Sequence, residues 1–77
     1  MIRVHYFGRL AEAAGVRSEE VATAATVGAL RAMLAGRVAG LGDAGKVRAL
    51  VDDVIVGEDF AIGGVAEVGF LPPVSGG

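Results

Sequence analysis

The chain contains no cysteine, and this absence excludes several kinds of chemistry at once. Without thiols it can form no disulfide, supply no thiolate to a metal ion and offer no thiol nucleophile. A domain that manages without disulfides is suited to a reducing compartment. No signal peptide is indicated either, because residues 1–4 already have the pattern of a strand. We therefore expect a cytoplasmic protein.

Basic residues are also few, and they never form a run. Seven Lys and Arg residues face nine Asp and Glu residues, which gives a net charge of -2. Nucleic-acid binding requires a basic surface that neutralises phosphates, so we expect no nucleic-acid partner. Apolar residues make up 53% of the chain. Charged residues and glycines nevertheless interrupt every apolar stretch before it reaches the ~20 residues of a membrane span, so no membrane partner is expected.

The residues that could carry chemistry are isolated from one another. His5 is the only histidine, and one imidazole without a second His or any Cys favours a structural or surface role over metal binding. The acidic pair Asp52 and Asp53 is typical of a solvated turn. No G-x-x-x-x-G-K-[ST] loop is present to cradle phosphates, so the chain is not expected to bind ATP itself. We expect no cofactor and no metal on this chain.

The apolar pattern predicts one small α+β domain. Strands are predicted at residues 2–7, 17–22, 47–51 and 67–71, with an apolar continuation at residues 54–56. Thr26 is a good helix N-cap, and apolar residues follow it at steps of three and four as far as Leu41, which predicts one main helix. Phe60 and Ile62 are predicted to fill the core from a loop. This order of elements indicates a mixed sheet with the helix packed on one face.

The last eight residues, FLPPVSGG, differ from the rest of the chain. Pro72 lacks an N–H and keeps Leu71 extended, and Pro73 repeats the constraint, so the chain is expected to leave the sheet as a stiff stalk. Gly76 and Gly77 have no side chain and can enter a narrow channel. We expect a domain at residues 1–71 and an extended C-terminal tail at residues 72–77, with a flexible Gly-Gly end. The residues alone leave two interpretations of this tail open: one that works inside a partner, and a frayed terminus.

The ending FLPPVSGG, together with the opening MIRVHYFGRL, resembles the small sulfur-carrier subunit of molybdopterin synthase. The similarity extends to the helix and to a middle strand, at Thr26, Val27, Leu30, Arg31, Ala49, Leu50 and Val51. It implies the β-grasp, or ubiquitin-like, fold. Two positions depart from the family pattern: Asp52 stands where Asn is usual, and residues 65–67 read Val-Ala-Glu where Gly-Asp-Glu is common.

The resemblance also implies a function for the C-terminus. The carboxylate of Gly77 would be adenylated by an E1-like adenylyltransferase that uses ATP, and then converted to a thiocarboxylate. It would donate sulfur to a cyclic pterin precursor in the large subunit of molybdopterin synthase, within a heterotetramer. The catalytic side chains would belong to these partners. Two alternatives remain open: a sulfur carrier of thiamine biosynthesis, and a ubiquitin-like modifier that is joined to lysines.

Site residues follow from the tail and from the strand phases. Gly77 is the expected reacting residue, and Gly76 gives it access. An apolar surface for partners is predicted because Phe7, Ile55 and Leu71 are out of phase with their buried neighbours. The residues predicted to bind partners are Phe7, Ile55, Phe70, Leu71, Pro72, Pro73, Val74 and Ser75. For the first four of them, ordinary core packing remains the alternative.

Overall fold

The computed structural model describes residues 1–73. Of the tail predicted at residues 72–77, the part from Val74 onward, which includes the flexible Gly-Gly end, lies outside the described residues. The elements are β1 (Ile2–Tyr6), α1 (Arg9–Ala14), β2 (Ser18–Val21), α2 (Val27–Ala35), β3 (Arg48–Val51), β4 (Val54–Val56) and β5 (Glu67–Leu71). The five strands form one sheet in the order β2-β1-β5-β3-β4. Strands β1 and β5 run parallel and the other pairs antiparallel, so the sheet is mixed as predicted.

The core lies on one face of this sheet, under α2. Alternate residues of β1 are buried, and in the parallel register Val4 pairs with Val68 while Tyr6 pairs with Phe70. Leu30 and Leu34 of α2 belong to the same buried cluster. The strand alternation and the helical stripe therefore face each other, which is the arrangement that lets both bury their apolar sides. The predicted α+β architecture is confirmed.

Helix α2 begins where the sequence predicts and ends earlier. Thr26 is the N-cap, and its hydroxyl accepts a hydrogen bond from the N–H of Ala29 at 3.2 Å. The helix stops at Ala35 rather than continuing to Leu41, so the predicted length is wrong. Val38 and Leu41 are nevertheless fully buried. The glycines after Ala35 favour turns over helix, and these turns keep the apolar residues on the side of the core.

The loop after β4 contains one confirmed prediction and one error. Ile62 is fully buried, as predicted, whereas Phe60 is 41% exposed and does not fill the core. The backbone carbonyl of Phe60 accepts a hydrogen bond from the N–H of Val27, at 3.0 Å. This segment is therefore tied to the start of α2 through its backbone, and the phenyl ring is left outside.

The short elements agree with the sequence prediction. Helix α1 ends at Gly15, which has a φ of 81° and the left-handed conformation that glycine accepts readily. Strand β2 lies at the edge of the sheet, and its two glutamates are consistent with that position.

Candidate functional site

The predicted stalk begins at the end of a central strand. Strand β5 lies between β1 and β3; its last residue, Leu71, pairs with Arg48 of β3, and the residue before it, Phe70, pairs with Tyr6, the last residue of β1. Pro72 and Pro73 follow it and are half-buried. Neither proline can donate a hydrogen bond to a neighbouring strand, and the ladder of β5 therefore ends at Leu71. The interior of the sheet leads directly into the C-terminal sequence.

The apolar patch, which we define as Phe7, Leu50, Ile55 and Leu71, occupies the open face of the sheet. Phe7 is 43% exposed and Ile55 is 49% exposed, while the other two side chains are half-buried. The strand register places Leu50 opposite both Gly69 and Ile55, so the patch extends across three strands. The prediction that Phe7, Ile55 and Leu71 point away from the core is confirmed. Their role in binding a partner stays a prediction.

Phe70 does not belong to this patch, and its assignment to an exposed surface is wrong. The side chain is fully buried. The reason is strand alternation: Phe70 pairs with the inward Tyr6 and Ala49, and therefore shares the inner face, while the adjacent Leu71 takes the outer one. Of the two interpretations left open for Phe70, core packing is the one that the structure supports.

Three cations flank the stalk. Arg9, Lys46 and Arg48 line the two hollows on either side of Pro72 and Pro73. All three are exposed, and within residues 1–73 none of them is in an ion pair. One carboxylate, that of Asp43, lines the same surroundings. The described surroundings of the stalk therefore have an excess of positive charge, although the chain as a whole is negative.

The other end of the open face is acidic. A shallow hollow there is lined by Phe7, Asp52, Asp53 and Glu67, together with His5. His5 Nε2 lies 2.6 Å from Glu67 Oε1. Asp52 and Asp53 form the β3–β4 turn with φ values of 51° and 66°, a left-handed geometry that glycine adopts most readily and that aspartate tolerates better than most other residues. Both carboxylates are exposed, as predicted for a solvated pair.

Arg31 is a functional candidate that sequence reasoning missed. It is 4% exposed, and its guanidinium donates two hydrogen bonds to the carboxylate of Glu58, at 2.8 Å and 2.7 Å. A third hydrogen bond reaches the carbonyl of Leu41 at 2.8 Å, and the guanidinium carbon lies 5.3 Å from the ring centre of Phe70. This one side chain therefore joins α2, two loops and the strand that carries the stalk. The one sign of this role in the sequence is that Arg31 directly follows Leu30, a residue of the apolar stripe of the predicted helix.

A second polar cluster, formed by Tyr6, Glu19 and Arg37, lies on the side of the sheet that the helix covers. The Tyr6 hydroxyl donates to Glu19 at 2.6 Å, and Arg37 donates to the same carboxylate at 2.7 Å. Burial raises the pKa of Tyr6, and the hydrogen bond to Glu19 adds to this effect. The hydrogen bonds from Arg37 and Tyr6 lower the pKa of Glu19. The cluster links β1, β2 and the segment after α2, and it has a structural role.

Within residues 1–73, the structure brings together no group of three His, Asp or Glu side chains that could hold a metal ion. In the same part of the chain, neither helix has the length and apolar character needed to cross a membrane. Predicted residues Val74, Ser75, Gly76 and Gly77 lie outside the described part. The site that can be described is therefore the stalk, the cations around it and the apolar patch.

This combination of a mixed sheet, a covering helix and a central strand leading into a Pro-Pro-Val-Ser-Gly-Gly ending defines a ubiquitin-like β-grasp carrier. Comparison with known proteins agrees. The chain belongs to the ThiS family, whose model matches residues 4–77. It is thus a ubiquitin-like sulfur carrier.

Two solved structures resemble the whole domain. SAMP1 of Haloferax volcanii is 32% identical, with 99% of this chain and 98% of that chain covered and a TM-score of 0.72. A Pyrococcus furiosus protein, named as molybdopterin converting factor, subunit 1, is 25% identical, with 95% and 97% covered and a TM-score of 0.73. No curated protein matches the sequence significantly.

Proposed function

We propose that this chain is the sulfur-carrier subunit of a molybdopterin synthase and that Gly77 carries the sulfur as a thiocarboxylate. The observation that carries the proposal is the ending of β5, a central strand that runs into Pro72 and Pro73 beside an exposed apolar patch. Family membership and the likeness to the Pyrococcus furiosus protein support it. The four residues after Pro73 can reach at most ~13 Å when extended, which suits delivery of one terminal group into a partner.

The chemistry requires activation, because a C-terminal carboxylate has a pKa of about 3.5 and is an unreactive anion at neutral pH. In the proposed sequence a carboxylate oxygen of Gly77 attacks the α-phosphorus of ATP, and pyrophosphate leaves. Hydrosulfide then attacks the carbonyl carbon and displaces AMP, which yields the thiocarboxylate. An E1-like adenylyltransferase would supply the ATP site, since the chain has no phosphate-binding loop.

Transfer would take place in the large subunit. The thiocarboxylate sulfur attacks a carbon of the cyclic pterin precursor and displaces its oxygen substituent, so that a C–S bond replaces a C–O bond. Water then cleaves the thioester, which leaves the sulfur on the pterin as a thiol and returns the carboxylate of Gly77. Two loaded chains would supply the two sulfurs of the dithiolene. The apolar patch would bind the large subunit, and the tail would enter its active site, in the cytoplasm. The carrier thus contributes a reacting group, while the partner contributes the catalytic side chains.

The first test is the intact mass of the chain after incubation with ATP, sulfide and an E1-like adenylyltransferase. We expect a gain equal to the replacement of one oxygen by sulfur, and no gain in a chain that lacks Gly77. A Gly76→Val variant should be folded and yet fail to transfer sulfur to precursor in the large subunit, because its Cβ branches obstruct a narrow channel. Absence of loading by an enzyme that is active on another carrier would contradict the proposal.

The ThiS family match favours one second candidate, the sulfur carrier of thiamine biosynthesis. It would share the loading chemistry and differ only in the acceptor. Loaded chain should therefore be offered in parallel to a molybdopterin synthase large subunit and to a thiazole synthase. Sulfur transfer to the thiazole alone would replace our proposal, and recovery of lysine-linked conjugates from cell extract would instead indicate a protein modifier.

A further inference from the structure

Two rings just beyond the ends of β1 and β5 each lie against a glycine: Gly69 within β5, and Gly8, which precedes α1. Phe7 follows β1, and a Cβ built at Gly69 of β5 would lie 2.7 Å from the Cε2 atom of its ring. Pro72 follows β5, and a Cβ built at Gly8 would lie 3.0 Å from its Cγ atom. The N–H of Phe7 also donates to the carbonyl of Phe70 at 3.2 Å. Where the stalk begins, the chain after β1 and the chain of β5 are therefore held together by two contacts, each between a ring on one segment and a glycine on the other.

Gly69 has a steric reason to be glycine and no conformational one. Its φ does not lie in the left-handed region, so its backbone would accept any residue. Its place on the open face should expose it, yet it is buried. Glycine inside a strand weakens the strand and often marks a close approach of another group. Here that group is the phenyl ring of Phe7, which the missing Cβ allows to lie against the sheet.

The position of this ring matters for the open face as a whole. Phe7 is 43% exposed although one side of it is covered by Gly69, so its other side is presented to the outside. The ring is the largest member of the apolar patch, and the residue that follows Phe7 in the chain, Gly8, lies against Pro72 of the stalk. A ring lifted off Gly69 would change both the shape of the patch and its distance from the stalk.

We propose that Gly69 is a positioning residue for partner docking: it seats the Phe7 ring so that the apolar patch fits an apolar surface of the protein that receives the tail. This inference rests on the proposed function, in that the partner used to test it is the molybdopterin synthase large subunit. Gly69→Ala should displace the ring while the fold persists, because the obstructed atom is the far end of a side chain that can rotate.

The test is a double-mutant cycle on the dissociation constant for the large subunit. We expect Gly69→Ala and Phe7→Ala each to weaken binding about fivefold, with the midpoint of urea unfolding of Gly69→Ala unchanged or higher. In the Phe7→Ala background, Gly69→Ala should have no further effect, since the ring it displaces is gone. Gly63→Ala is the matched control, because a Cβ there meets nothing within 4 Å.

Equal losses from Gly69→Ala in both backgrounds, or wild-type affinity in Gly69→Ala, would overturn the inference. NMR provides a readout that does not depend on the partner: wild type should show contacts between Phe7 ring protons and the α protons of Gly69. If these contacts are present but wild type does not bind the large subunit, the proposed function and the docking role both fail, and only the contact between Phe7 and Gly69 is established. If wild type binds and the contacts are absent, only the inference fails.

Discussion

Phe7 and Phe70 belong to neighbouring strand ends and have opposite surroundings. Phe70 is fully buried under the guanidinium of Arg31, whereas Phe7 is 43% exposed and lies across Gly69. The sheet therefore has one face on which aromatic area stabilises the fold and another on which it remains available to a partner. A chain of 77 residues keeps its stability and its binding surface on opposite sides of one layer.

The largest expected effect would follow from removing the buried aromatic. Phe70→Ala should lower the free energy of unfolding by about 3–5 kcal/mol, because it leaves a cavity in the core. Phe7→Ala is the matched control and should cost about 1 kcal/mol or less, since much of that ring already faces solvent. Urea denaturation of both variants measures the difference. Similar losses in the two variants would abolish the distinction between the faces.

Removing the buried cation tests whether the inner face depends on it. Arg31→Ala should cost about 2–3 kcal/mol, because it leaves the Leu41 carbonyl without its donor and Glu58 without its partner. The figure is held below that of a fully buried pair because the Glu58 side chain is 38% exposed.

The control for Arg31 is Arg3→Ala. The Arg3–Glu20 pair is 4.0 Å long with both side chains well exposed, and its loss should cost about 0.5 kcal/mol or less. Thermal and urea unfolding of both variants gives the comparison. If Arg31→Ala lowers the free energy of unfolding by no more than Arg3→Ala does, the contacts of Arg31 do not stabilise the inner face.

A substitution in the β3–β4 turn, at the edge of the open face, should stabilise the fold. Asp53→Gly should raise the free energy of unfolding by about 0.5–1 kcal/mol, because glycine accepts the left-handed geometry of the β3–β4 turn at lower cost. Asp59→Gly removes the same charge at a position without positive φ and should not stabilise. Urea midpoints of the two variants decide the matter. Equal gains would attribute the effect to charge rather than to backbone geometry.

The smallest expected effect is the pH dependence of stability that comes from Glu19, at the edge of the inner face. The pKa of Glu19 in the folded state is lowered by the hydrogen bonds from Arg37 and Tyr6, so the ionised carboxylate stabilises the fold above its ordinary pKa of 4.5. That contribution is lost as the pH falls through the lowered folded pKa. The stability difference between wild type and Glu19→Gln should therefore shrink below about pH 4.5. A difference that is constant from neutral to acidic pH would contradict this.

Much of the fold could be predicted because it depends on local patterns. Alternation at Ile2, Val4 and Tyr6 predicts the inner face of β1, and Thr26 predicts the start of α2, since both signals come from neighbouring residues. The end of α2 was misjudged because Val38 and Leu41 keep the helical spacing while the intervening glycines form turns. Periodicity reports which residues are buried, and it does not report whether the chain between them is still helical.

The candidate site was predicted less completely. Strand phase predicts the exposure of Phe7 and Ile55, and the same phase places Phe70 on the inner face with Val68, so its assignment to the partner surface is wrong. The burial of Arg31 was hard to predict, since its partner Glu58 lies in a loop that is distant in the sequence. The contact between Phe7 and Gly69 could not be foreseen either, because it depends on the parallel register of two strands from opposite ends of the chain.

By itself, the sequence determined the class of elements, the inner face of the sheet, the end of the β5 ladder before Pro72 and the family resemblance, because these depend on spacing and on residue chemistry along the chain. Only the tertiary structure decided that β5 lies in the centre of the sheet, that Arg31 is buried against Phe70 and that Gly69 receives the ring of Phe7. The physical reason is that these three facts depend on contacts between segments that are distant in the sequence, and such contacts are set by the packing of the whole domain.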